Sequence, residues 1–271
     1  MGRMLLVTQR ELLEVARDFN LVGPIFILPT LMAVVISLGM YSTATIDTGT
    51  MSVVVGTVGV ERLPPRWASS FVNLGPEEQE KVVANALKAL TLPLFWIITV
   101  ALTATVASDS FVGEKERDTL EPLLATPIGN RELFFGKLLT AIVPAVLGTW
   151  WGIGILTVGI MRSDNPYFPR FLLSDPDWAA STFLLIPLMA LLSAGVAALI
   201  STRVATYRAA YQLNGLIVLP IVAFLVPQTV ILFFVTSKAM IYLSGVFIIL
   251  DLLLVTTAVR FFDRERLLRG R

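Results

Sequence analysis

Residues 138–161 read LLTAIVPAVLGTWWGIGILTVGIM, 24 consecutive positions without a charged side chain. A helix needs about 20 predominantly apolar residues to cross the hydrocarbon of a bilayer. No short soluble helix of this composition could hide every side chain from water, so the stretch reads as a membrane span and the chain as an integral membrane protein. Lys137 precedes the run and Arg162 follows it, as interfacial flanks should. Composition agrees: 55% of the 271 residues are hydrophobic, 15% are charged and the mean hydropathy is +0.77, against roughly 25% charged residues in soluble domains.

Working outward, the same test finds five more runs. Residues 21–41 and 91–108 are uncharged; 178–202 starts at Trp178 and ends before Arg203; 211–237 is uncharged but carries Pro220 and Pro227. The last run, 239–262, holds Asp251 near its middle and Arg260 near its end. These six runs predict an all-α membrane protein of six transmembrane helices. Pro227 removes a donor and crowds the preceding turn, so 211–226 should span while 228–235 forms a separate short helix. With both termini on one side, that side collects 14 Lys and Arg and the opposite side 7, which by the positive-inside rule places both termini in the cytoplasm.

Composition also excludes chemistry. The chain has no Cys and no His, which removes disulfides, thiol nucleophiles, haem ligation, most zinc sites and histidine-based triads. A formal net charge of +1 offers no bulk attraction for nucleic acid. Residues 129–137 end in Gly136 and Lys137, yet the spacing is not G-x-x-x-x-G-K and Leu138 stands where Ser or Thr should hold magnesium. The chain therefore carries no nucleotide site of its own and is not read as an enzyme.

Outside the spans, residues 4–19 bring Met4 or Leu5, Leu12, Val15 or Ala16, and Phe19 to one face, predicting a cytoplasmic amphipathic helix over 1–20 that lies at the interface. It holds too many charges for a cleaved leader. The segment 42–90 forms a small external cap, with a β-rich run at 51–60, Pro64 and Pro65, and a helix opening at Pro76 ahead of Glu77 and Glu78. The cytoplasmic loop 111–137 is divided by Pro122 and Pro127 into short stiff pieces, and Leu120, Leu123 and Leu124 lie beside Glu114, Glu116, Arg117 and Glu121. A stiff amphipathic knob of this kind suits the receipt of force from a soluble partner; a solvated connector is the plainer alternative.

The string EKERDTLEPLLATP at 114–127, with Arg131-Glu132 and Gly136-Lys137 behind it, resembles the signature loop of ABC-2 type transporter permeases. The resemblance extends to Glu11, Arg17-Asp18 and Pro29, which look like the family's connecting helix and first span, and to the six-span count. Leu63-Pro64-Pro65 and the valine-rich run before it further resemble the sodium-extrusion-type subgroup, with a shortened external domain; Asp118 stands where the family more often has Gly. The resemblance implies a permease domain over 21–271 that exports an unidentified substrate across the cytoplasmic membrane. It implies that ATP and Mg are bound by two cytoplasmic ATPase subunits, and that a second permease copy or a related permease completes the path. It assigns ATPase coupling to Glu114, Glu116, Arg117, Thr119, Leu120, Glu121, Leu123, Leu124 and Pro127.

Three polar residues are candidates for a substrate or ion path. Asp251 sits near mid-bilayer, where an ionisable group is expensive and faces protein or a water-filled route; it either joins two helices as a protonated or hydrogen-bonded carboxyl or contacts the cargo. Gln212 and Asn214 raise the same question at the start of the fifth span. Gly148, Gly152 and Gly159 in the third span predict close helix packing rather than a pore lining. Competing readings are an ATP-independent carrier that couples ions through Asp251, and a membrane scaffold that holds a partner without transport.

Overall fold

The computed structural model describes residues 2–44, 76–113, 116, 129–162, 176–201, 204, 206, 208–210, 212–213, 215 and 239–261. Among these it is entirely helical. The elements are α1 (Gly2–Arg17), α2 (Phe19–Ala44), α3 (Pro76–Ser108), α4 (Asn130–Met161), α5 (Pro176–Ala180), α6 (Ile186–Ser201) and α7 (Ala239–Phe261). A π-helical turn, Asp109–Gly113, extends α3, and another, Ser181–Leu185, joins α5 to α6.

Four stretches are long and apolar enough to cross a membrane: Phe19–Gly39, Thr91–Gly113, Asn130–Met161 and Trp178–Ser201. Within α7 the apolar stretch Ser244–Val259 is shorter. The predicted fifth span, its partner helix at 228–235, the β-rich run at 51–60 and most of the loop 114–128 lie outside the described residues; the predicted sixth run, 239–262, coincides with the 23-residue α7.

Helix ends depart from the uncharged runs for local reasons. α4 begins at Asn130 rather than Leu138, because the Glu132 carboxylate reaches back to the Gly129 N–H at 3.1 Å and Leu133 N–H donates to the Gly129 carbonyl at 3.0 Å, satisfying donors a helix start leaves open. The helix predicted at Pro76 starts there, but it runs without a break into the second span. At the other end of the chain, Asp18 separates α1 from α2: its Oδ1 accepts the Asn20 N–H at 2.9 Å while its carbonyl accepts from Leu21 and Val22.

The bundle packs in two layers along its length. One joins Ile25, Leu102, Val106, Phe111, Phe134, Leu138, Ala194 and Ala198 near the 114–128 loop; the other joins Ala33, Phe95, Trp96, Ile153, Leu156, Ile186 and Phe247 further away. α2 lies closely along α4 because glycines on α4 remove the side chains between them. A Cβ on Gly148 would stand 2.6 Å from Ile25 Cγ2, and one on Gly152 would stand 2.9 Å from the Pro29 carbonyl oxygen; one on Gly159 would collide with Ser37 Oγ. The close-packing reading of these glycines is thus what the geometry displays.

Most of the described hydroxyls inside the bundle are used, as burial away from water favours, although Thr182 Oγ1 has no hydrogen-bond partner among the described residues. Thr99, Thr103, Thr140 and Thr149 each bond the carbonyl four residues back. Thr99 and Thr149 also meet across α3 and α4 at 2.9 Å, and Ser193 of α6 donates to the Val100 carbonyl at 2.8 Å. Conversely, Ile27, Leu31, Val35 and Leu38 on α2 and Ile249, Leu252 and Leu253 on α7 are exposed. An outward face of this kind is a liability in water and ordinary in lipid.

Candidate functional site: the roots of the 114–128 loop

In the chain, the loop 114–128 joins the π turn that ends α3 to the start of α4, so these two elements are its roots. α1 lies across these two roots. Its buried residues are Val7, Thr8, Glu11 and Val15, one stripe at helical spacing. Of the expected face, Val15 is buried and Leu12 half-buried as a packed stripe requires, whereas Ala16 is exposed and Phe19 is 79% exposed at the start of α2. The expected interfacial face counted apolar residues only, whereas the buried stripe is centred on an acid.

Glu11 survives burial because the loop roots supply its partners. Lys137, fully buried two turns into α4, places Nζ 3.2 Å from Glu11 Oε1, a charge contact without an aligned hydrogen bond to that oxygen. Ser110 Oγ, in the π turn, donates to Glu11 Oε2 at 2.9 Å, and Lys137 Nζ donates to the Ser110 carbonyl at 2.6 Å. The Phe111 ring centroid lies 6.0 Å from the ammonium, with Phe134 packed against Phe111 at 6.1 Å between centroids. Thr8 Oγ1 adds a longer contact to the Gly136 carbonyl, 3.4 Å. The charges cancel within the site, and aromatic rings close it off from solvent, so the pair is held by geometry rather than screened.

Of the residues assigned to ATPase coupling, Glu116 is described and exposed; Glu114, Arg117, Thr119, Leu120, Glu121, Leu123, Leu124 and Pro127 lie outside the described residues. Of the three candidate path residues, two are described. Gln212 is exposed, Asn214 lies outside the described residues, and Asp251 is buried on the inner stripe of α7 with Ser244, Phe247 and Ala258. Among the described residues, neither Asp251 carboxylate oxygen has a hydrogen-bond partner. No group of three or more acidic residues among those described could hold a metal ion.

The sequence reading passed over Ser110 and Lys137 as site residues. Lys137 entered as the edge of a span and as part of the signature-loop resemblance, although a Lys eight residues into a helix that Glu132 caps is a signal that burial needs a partner.

The family model for the ABC-2 type transporter matches residues 3–226. ABC transporter permease protein NatB of Bacillus subtilis (strain 168) is 26% identical over 166 residues, a match that covers 60% of this chain and 41% of that relative. The chain thus aligns with about two-fifths of the length of the curated relative.

Proposed function

Because the chain belongs to the ABC-2 type transporter family, we propose that it is the membrane subunit of an exporter powered by ATP hydrolysis on a separate cytoplasmic subunit. Two such ATPases dock on the 114–128 loops of two permease copies, or of this chain and a related permease, in the cytoplasmic membrane. The observation that supports this most is the anchoring of the loop. Both of its roots and the N-terminal helix meet at one buried ion pair, a construction able to carry load into the spans. Glu116, exposed on the loop, and Arg117 beside it supply charge for docking. Nucleotide reverses the access equilibrium only if the ATPase pair binds one permease conformation better than the other.

Purification of the tagged chain from its native membrane in mild detergent tests this. A stoichiometric soluble protein carrying G-x-x-x-x-G-K-[ST] is the expected companion; its absence under conditions that preserve other membrane complexes refutes the reading.

A second reading, an ion-coupled carrier, rests on Asp251, 2% exposed with neither oxygen hydrogen-bonded among the described residues. Transport unimpaired in Asp251→Asn would remove it.

A further inference from the structure

The three polar residues at the loop roots form a closed triangle. Glu11 meets Lys137, Ser110 meets Glu11, and Lys137 meets Ser110. Each belongs to a different element: Glu11 to α1, Ser110 to the π turn at the end of α3, Lys137 to α4. Displacing any one element against the other two therefore breaks two of the three contacts.

Apolar packing alone would not impose this, because the hydrophobic effect is non-directional and tolerates sliding. An ion pair out of water whose two members are each hydrogen-bonded to Ser110 does not slide: once separated, it leaves buried charge without a partner. The π turn contributes as well. Its wider winding, common at functional sites, sets the Ser110 carbonyl toward Lys137 and its hydroxyl toward Glu11 in the same residue.

We propose that Glu11, Ser110 and Lys137 are a buried polar latch that makes α1 and both roots of the 114–128 loop move as one body. Displacement of the loop is then handed to α1 and, through the short Asp18 junction, to the first span. The role rests on the exporter reading above, and the three are positioning residues for it.

The absence of Cys from the chain makes the test direct. Cysteines replace Gln9 on α1 and Arg131 on α4, both exposed, and carry spin labels in the purified complex with its ATPase; the unmodified chain supplies the labelling background. Distances are measured without nucleotide and after trapping with Mg-ATP and vanadate. With the labelled chain diluted into unlabelled copies to suppress distances between copies, the parent should show one narrow distance within the chain, identical in both states. The double variant Glu11→Gln/Lys137→Met, which removes both charges and leaves neither stranded, should match the parent without nucleotide and acquire a second population on trapping.

Three results would overturn the latch. A double variant with a single distance in both states means the triangle carries no load. A second population already present without nucleotide reduces it to a packing contact. A parent distance that itself shifts on trapping means α1 and α4 are not one body. Failure of the exporter reading has a different sign, the absence of any ATPase from the parent preparation, and it overturns the coupling role with it.

Discussion

Replacing Lys137 with Met keeps the length and most of the apolar volume of the side chain and removes its charge. Lys137 is fully buried and Glu11 is 6% exposed, so the variant leaves a carboxylate out of water with the Ser110 hydroxyl as its remaining hydrogen-bond donor. Breaking a buried pair from one side costs about 3–5 kcal/mol. Glu11→Gln should cost less, since the ammonium keeps the Ser110 carbonyl at 2.6 Å and the amide can still accept from Ser110 Oγ. The double variant should return close to the parent, because neutralising both partners removes the desolvation penalty together with the attraction. The coupling energy between the two sites should then reach about 2 kcal/mol or more, the upper part of the range for residues in contact. The assay is unfolding of the detergent-solubilised chain followed by tryptophan fluorescence, with Trp96, Trp150, Trp151 and Trp178 distributed over three helical segments as reporters. Strictly additive single and double variants would refute the reasoning, as would a Lys137→Met variant as stable as the parent.

The close approach of α2 to α4 gives a controlled pair. Gly→Ala gains about 1 kcal/mol of helix propensity anywhere inside a helix; at Gly154, where nothing lies within 4 Å, that gain should appear as higher thermal stability. At Gly148, where the new Cβ meets Ile25, overpacking of about 1–3 kcal/mol should cancel or reverse it; equal shifts at the two positions would contradict the interface. Exchanging the charges at Glu116 and Arg117 should reduce co-purified ATPase severalfold with membrane insertion unchanged, read by quantitative mass spectrometry of the purified complex. Asp251→Leu should be tolerated or stabilising in unfolding measurements, because both carboxylate oxygens are buried without hydrogen-bond partners among the described residues and an apolar side chain of similar size suits that site; a large loss of stability would mean the carboxylate is held by a partner from another segment or another copy.

Run length was enough to read the spans in this sequence, since a bilayer imposes the same requirement on every helix that crosses it. It located α2, α4 and the apolar parts of α3 and α6, and it identified the glycines of α4 as points of contact. It failed wherever an element's limits are set by something other than hydropathy. α4 begins eight residues before the uncharged run because Glu132 caps it, and hydropathy does not register a cap. α3 passes through the predicted cap boundary for a similar reason: a helix in progress continues from Pro76 into apolar sequence without a stop signal.

The candidate site was harder to see for a deeper reason. Glu11 looked like part of a polar face, and Lys137 like an interfacial flank, because each was judged against its own neighbours in sequence. Their burial is compatible only with one another: Ser110 and Glu11 stand 99 positions apart in the chain, and Lys137 stands 27 positions from Ser110. A charged residue inside a helix that continues past it into membrane needs a partner or a route to water. Lys137 is followed by two dozen uncharged residues and lies one residue after Gly136, in a helix whose cap begins it at Asn130. Those facts together demand an acid from another element, and α1, the acid-bearing helix immediately before the first span, is where such an acid can reach α4. The same logic separates two acids buried among the described residues: Glu11 is neutralised where three elements converge, whereas Asp251 is buried on one helix stripe with no hydrogen-bond partner among those residues, so under the proposed function the first would carry load and the second is the residue whose substitution discriminates between an ATP-driven path and an ion-coupled one.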